Sequence, residues 1–450
     1  MGERHRFDWQ RFPEAEKWQL QLLDTRKKAS FFLRDLDEQL LRLTSSRLLD
    51  WVDHFLITEK EAQIVDFNKM GFREAKPSRL GRVLYHPGAQ LPRLVVVKSE
   101  NSAGVAILVD SIADFQMVHR LHVKIEGSPF SAYRRSLVAQ EGGFDLFVVE
   151  RRGTQTFVPV EDGDAAQNFS WAYEAWASRP RRHGHEDEDM VLTIELAEKL
   201  AERLGAHHAA AVVLEVERRY WELRNTAGQV QKSRQDRVGM GWANHDHHTF
   251  RSSRKQFHLL VQLFETLGFF CRERFYAGRE AGWGAQVMES SEGRFVLFLD
   301  VDLAPEELEI DFAHQDLPEL DHLNTVGLWC ALHGDSILRG GMHHLECQFM
   351  FDELAEDLKE FGVGMMKPFS DFSYLKQAFS LGEKWSVDPH QLDKLADAKL
   401  ISEEERERFL REGAVGSHLE NLQRRDGYKG FNQKNVSFII EATDPRKQRG

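Results

Sequence analysis

The sequence predicts an α+β protein of paired βαβββ modules, each pair curling into a cup, with helices added around them. Three observations carry this expectation. A weak internal repeat of strand, amphipathic helix and glycine recurs along the chain. Short apolar runs with strand grammar follow it. Long stretches of helical periodicity lie outside it. A length of 450 residues suggests two or three domains at about 150 residues each.

Residues 1–50 read as a helical segment, with Leu20, Leu22, Leu23, Phe31, Phe32, Leu33 and Leu40 spaced between charges. Residues 51–160 change character. RVLYHPG, RLVVVKS, GVAILVD and FDLFVVERR are apolar runs parted by Gly, Pro and polar residues, as in a sheet. Residues 161–238 combine a charged linker and a helical insertion. The part from Glu161 to Met190 is polar, and RPRRHGHEDEDM reads as exposed; residues 191–235 are helical, as in ELAEKLAERLGAHHAAAVVLEVERRYWEL. Residues 239–450 form a second mixed region.

The repeat has three copies: Asp53 to Phe72, Asp246 to Phe269 and His343 to Val363. Each has a histidine at its start. In the second, Phe257, Leu260, Val261, Phe264 and Leu267 follow a helical stripe, and Gly268 sits where a helix would stop. In the third, Leu354, Leu358 and Phe361 form the stripe and Gly362 the stop. The strand candidates RERFYAG, WGAQVMES and RFVLFLDV complete a βαβββ unit after the second copy. One such unit leaves an apolar sheet face open, so it needs a partner.

Composition narrows the function. Hydrophobic residues make up 42% and aromatics 11%, enough for a sizeable core. The formal charge of -13 disfavours non-specific nucleic-acid binding. No apolar run reaches the ~20 residues of a membrane span, and MGERHRFDWQRF lacks the apolar core of a signal peptide. A cytoplasmic protein is expected. Cys271, Cys330 and Cys347 are widely spaced and read as reduced thiols.

Two His and one carboxylate on one face of an octahedron leave three positions open, the arrangement of non-haem Fe(II) oxygenases. His247 in NHDHHTF and His344 in GGMHHLE begin equivalent modules, so they are expected on paired strands, both facing into the cup. His248 and His343 then face away. Glu420 in SHLENLQRR stands among apolar neighbours, where a lone carboxylate is costly to bury unless paired or bound to a cation. The expected ligands are His247, His344 and Glu420. The N-terminal half offers His54 at the repeat position and Glu150 in FVVERRG, but only His119 or His122 as a second histidine, in no matching motif. His183 and His185 fall in the charged linker, and His207 and His208 in a helix, where structural roles are expected.

The segment HLENLQRRDGYKGFNQKNVSFIIEATDPRKQRG resembles the end of 4-hydroxyphenylpyruvate dioxygenases, members of the vicinal oxygen chelate superfamily. Glu420, Gln423 and Arg424 match that family's metal-binding strand; Gly430, Phe431 and Asn435 match the loop after it. GGMHHLE and NHDHHTF resemble its two histidine strands, and VMESSEGRFVLFL and LDKLADAKLI resemble further segments. Asp246, His247, Phe250 and Arg251, with Arg424 to Gly427, also resemble the 2-oxoadipate dioxygenase/decarboxylase family. The resemblance covers roughly residues 240–450. It implies a metal-binding C-terminal domain, a metal-free N-terminal one, and oxidative decarboxylation of a 2-oxo acid that chelates Fe(II), with O2 as co-substrate. Another divalent metal is the alternative cofactor.

Departures limit the transfer. The family's Pro-x-Asn element is replaced by Leu299, Asp300, Val301 and Asp302; its loop glycines become Asn432 and Lys434; and residues 191–235 replace a short linker. Recognition of an aromatic substrate is therefore not carried over. Arg251 and Arg424 are candidates to bind a substrate carboxylate bidentately, against a rival reading as ordinary ion pairs. Phe431 is a candidate lid, and Gln423 accompanies Glu420 and Arg424 as a site residue. The expected partners are a small-molecule substrate and O2, with no nucleic acid or membrane, and a homodimer by analogy of fold. The alternative reading is a ring-cleaving dioxygenase, isomerase or hydrolase of the same fold, or a non-catalytic binding protein.

Overall fold

The computed structural model describes residues 9–98, 102–181, 186–290, 292–431 and 444–446. Two helices open it, α1 (Pro13–Ala29) and α2 (Phe31–Thr44). They are separate because Ser30 is extended and caps α2, its side chain accepting from Leu33 N. The N-terminal sheet follows with β1 (Val52–Thr58), α3 (Glu59–Gln63), β2 (Arg73–Glu74), β3 (Gly81–Tyr85), β4 (Arg93–Val97), β5 (Ala103–Leu108), α4 (Ile112–Val118), β6 (Ile125–Glu126), β7 (Tyr133–Glu141) and β8 (Phe144–Arg151). Four helices then lead to the second half: α5 (Ala165–Ala177), α6 (Glu186–Leu204), α7 (Ala206–Glu222) and α8 (Thr226–Asp236). The C-terminal half contains β9 (His245–Arg251), α9 (Phe257–Thr266), β10 (Phe270–Tyr276), β11 (Trp283–Ser290), β12 (Phe295–Asp302), α10 (Thr325–His333), β13 (His344–Cys347), α11 (Phe351–Glu360), β14 (Ser370–Phe372), β15 (Leu375–Phe379), β16 (Glu383–Trp385), α12 (Pro389–Asp397), α13 (Glu403–Glu412) and β17 (Ala414–Arg424).

The strand orders are β2-β3-β4-β1-β5-β8-β7-β6 and β10-β11-β12-β9-β13-β17-β15-β14, with β16 also on β17. Each sheet is two βαβββ modules joined back to back. Within a module the first strand runs parallel to the last: β1 with β4, β5 with β8, β9 with β12 and β13 with β17. Between modules the first strands pair antiparallel, β1 with β5 and β9 with β13. This is the topology that the resemblance implies. It contains one module more than the sequence repeat shows. The first strand of that module, β5, carries Ala103, Gly104 and Ala106 and no histidine, so a repeat read on opening histidines passes over it.

One large core joins α9 to α5, α6 and α7 through Phe257, Leu260, Phe264, Trp176, Leu200 and Val213. The other packs α1 and α2 on the N-terminal sheet through Leu33, Leu36, Phe55 and Val105. The expected stripe of the second repeat is buried on α9, and Gly268 follows it at φ +82°. In the third repeat Leu354 and Leu358 are buried, but Phe361 is 48% exposed, because it is the C-cap where the helix turns away. Phe269 is buried and Phe270 exposed, since β10 begins there and successive side chains take opposite faces.

The polar stretch after Glu161 is largely packed, and of the segment read as exposed Arg179, Asp189 and Met190 are buried. Helix α5 buries Phe169 and Trp176, and Arg179 is buried against Glu217 of α7 at 2.7 Å. His183 and His185 lie outside the described residues. Cys330 and Cys347 are buried and Cys271 half-buried, all as thiols. Among the described residues, no helix is long and apolar enough to cross a membrane.

Candidate metal centre

The site grows out of strand register. In β9 the side chains of His247, Thr249 and Arg251 share one face. Across the antiparallel pairing His344 lies opposite Thr249, and Glu346 opposite His247. Across the parallel pairing of β13 with β17, His344 meets His418 and Glu346 meets Glu420. Strands β12 and β15 add Phe298 and Asp300, and Gln377 and Phe379, to the same face. The concave side of the C-terminal sheet therefore gathers imidazoles and carboxylates at its middle, where a bilayer of apolar side chains would otherwise meet.

The ligand atoms of His247, His344 and Glu420 all lie within 4.8 Å of one another, and all three residues are buried. His344 Nε2 is 2.9 Å from Glu420 Oε2 and 2.7 Å from Thr249 Oγ1. His344 Nδ1 faces His343 Nδ1 at 2.9 Å. His247 Nδ1 faces Asp246 Oδ1 at 3.4 Å, and Asp246 Oδ2 accepts from Arg424 Nη1 at 2.5 Å. Both rings thus have their Nδ1 occupied and turn Nε2 inward, as a metal-binding histidine with an outer partner does.

Burial sets the protonation states. It lowers His247 and His344 below the ordinary histidine range, so both are neutral. It pushes Glu420 up to about 7, with His247 and Gln377 pulling the other way. It also pushes Glu346 well up, with Glu420 beside it adding to the effect. Asp246 is held down against its burial, chiefly by Arg424. Two neutral imidazoles facing buried carboxylates are short of positive charge. A divalent cation would supply it, and the donor set fits one. An orphaned atom agrees: Glu346 Oε2 touches His247 Nε2 but has no hydrogen-bond partner.

Arg251 is fully buried on β9, facing Asp300 at 3.7 Å from its Nε. Its Nε and Nη1 have no hydrogen-bond acceptor. Phe431 stands over the centre, its ring 5.1 Å from that of His247 and 4.7 Å from that of Phe298. Arg424 is engaged by Asp246 and donates to the Gly430 carbonyl at 3.3 Å. Gln423 is not in the site. It pairs with Lys376 on the outer face of β17, and its Oε1 accepts from Phe351 N at the start of α11. Its neighbours Leu422 and Arg424 take the inner face by strand alternation. Asn432, Lys434 and Asn435 lie outside the described residues.

Sequence reasoning passed over Glu346, Thr249, Asp300 and Gln377. Two of these carried a signal: Glu346 is two residues after His344, and Thr249 two after His247, so strand alternation puts each beside a ligand. Asp300 and Gln377 depend on the pairing of β12 and β15, which the sequence does not state.

The N-terminal cup is filled instead. His54 occupies the position of His247, but its ring packs edge-on against Phe157 at 4.7 Å and its Nδ1 meets Asp53 at 2.7 Å. Leu56, Val83, Val95 and Val97 close the rest. Glu150 is paired with Arg134 and Arg152. His119 is turned to the Val238 carbonyl.

No protein-family model matches the chain, and no curated protein matches it. Solved structures are similar at low identity. A mutant of 4-hydroxymandelate synthase from Streptomyces coelicolor is 11% identical, covering 88% of this chain and 99% of its own, at a TM-score of 0.30. Methylmalonyl-CoA epimerase from Mycobacterium tuberculosis is 10% identical, covering 40% of this chain and 88% of its own, at a TM-score of 0.23. The uncharacterised protein YdcJ from Shigella flexneri, which includes a DUF1338 domain, is 12% identical, covering 57% and 73%, at a TM-score of 0.25. These scores are low, and the module assignment rests on the strand order itself.

Proposed function

We propose that this chain is a non-haem Fe(II)-dependent dioxygenase that oxidatively decarboxylates a 2-oxo acid or a related chelating substrate. The observation that carries the reading is the convergence of His247, His344 and Glu420, with ligand atoms within 4.8 Å, on the buried face of one cup. When bound there, the metal would polarise the chelating oxygens of the substrate and supply the redox chemistry that O2 requires. The protein's own groups do the rest. Asp246, itself held by Arg424, and His343 fix the ring orientations of the two histidines. Arg251 offers two unsatisfied donors to a substrate carboxylate, a role supported by its complete burial. Phe431 and Phe298 cover the centre and keep water out.

The test is metal content and O2 uptake against a panel of 2-oxo acids, with CO2 measured alongside. Wild type is expected to hold iron and to release one CO2 for each O2 consumed, and His344→Ala to lose both iron and uptake. Uptake at the wild-type rate by an iron-free His344→Ala defeats the proposal. Uptake without CO2 would point to ring cleavage, and turnover without O2 to an isomerase or hydrolase.

A further inference from the structure

Glu346 has no part in the three-ligand site, yet it stands beside it, in a second buried group with Asp246 and His247 whose ligand atoms lie within 4.8 Å of one another. It lies opposite His247 on one side and opposite Glu420 on the other, and two residues beyond His344 on the same strand face. It is completely buried. The Nε2 of Gln377 reaches the Oε1 of both carboxylates, 3.4 Å to Glu346 and 3.2 Å to Glu420. With Oε1 held in each case, both carboxylates turn Oε2 to a histidine: Glu420 to His344 Nε2 at 2.9 Å, and Glu346 to His247 Nε2 in direct contact. The second contact lacks hydrogen-bond geometry and leaves Oε2 without a partner.

From this geometry we infer that Glu346 is a fourth protein ligand of the metal in the substrate-free enzyme. The inference rests on the metal centre proposed above. Two imidazoles and two carboxylates around a divalent cation form a neutral group, which suits a buried site better than one carboxylate bound and another stranded beside it. Four protein ligands leave two of six octahedral positions. A chelating 2-oxo acid would fill both, so with substrate bound a place for O2 opens only when Glu346 turns away.

The experiment counts metal-bound water in the full-length protein loaded with Mn(II), by pulsed EPR in isotopically labelled water. With four protein ligands in an octahedron the expected wild-type count is two, rising to three in Glu346→Ala. Mn(II) binding should weaken by about tenfold or more in both Glu346→Ala and the shape-conserving Glu346→Gln. A wild-type count other than two overturns the inference, and this arm needs no variant to fold. An unchanged count in a folded Glu346→Ala overturns it as well. Failure of wild type to bind Mn(II), or equal binding by His344→Ala, overturns the metal centre itself together with Glu346; a wild-type count of three leaves the centre standing and removes Glu346 alone.

Discussion

Asp300 faces Arg251 from β12 to β9 on the buried floor of the C-terminal cup. Burial pushes its carboxyl up to about 7; Arg251 pulls it back and Glu420 adds to the rise. In the unfolded chain it titrates near ~4. Between those values the folded protein keeps a proton that the unfolded chain has lost. Its contribution to stability is therefore full below about pH 4 and disappears as pH rises towards 7. Asp300→Asn removes this dependence. In urea unfolding at about pH 5 and about pH 8, wild type should lose roughly 2 kcal/mol relative to the variant. Parallel pH profiles would show that the group is ionised throughout. The same scale separates what residue type revealed from what it hid. His247, His344 and Glu420 stood out because histidines at equivalent starts and a carboxylate in an apolar strand are conspicuous. Gln423 misled because a motif names residues without naming faces. Alternation sends it to α11, away from Glu420.

Helix α9 was legible because its apolar stripe and closing glycine are local features. Helix α5 was not. Its sequence sits in a polar stretch, and what orders it is a contact distant in the chain. Glu217 of α7 accepts from Trp176 Nε1 at 2.8 Å, Arg179 Nη2 at 2.7 Å and Arg181 Nη2 at 2.9 Å. Glu217 is fully buried and Arg179 nearly so. Glu217→Ala would leave Arg179 buried without its carboxylate, a loss of about 3–5 kcal/mol. A urea titration followed by circular dichroism measures it. A loss under about 1 kcal/mol would mean that Arg179 finds water or another acceptor, as an exposed pair would.

Across the whole molecule, four modules make two cups of the same topology with opposite contents. Asp53 ties the halves together: it pairs with Arg151 of its own sheet and with Arg294 from the second half. A cavity of about 1240 Å³ lies between the halves, lined by Arg93, Phe157, Asp246 and Arg424 among others. The N-terminal cup is closed by Phe157 over His54, so the chain should hold one metal rather than two. His54→Ala is expected to leave the metal content at one per chain, measured by elemental analysis of purified protein. A fall to half of the wild-type content would place a second ion in the N-terminal cup. The fourth module escaped the sequence because it shares topology with the others but has no histidine on its opening strand, and packing requires only the topology.

By itself the sequence determined the elements whose signals are local: the apolar stripes of the helices, the glycine stops, the strand runs, and the histidines that open two modules. Only the tertiary structure decided which of those strands became neighbours and in what register. That is why it brought Glu346, Thr249 and Gln377 to the candidate centre and sent Gln423 to the outer face. Register depends on pairing between strands far apart in the chain, and a shift of one residue exchanges every inward side chain for an outward one.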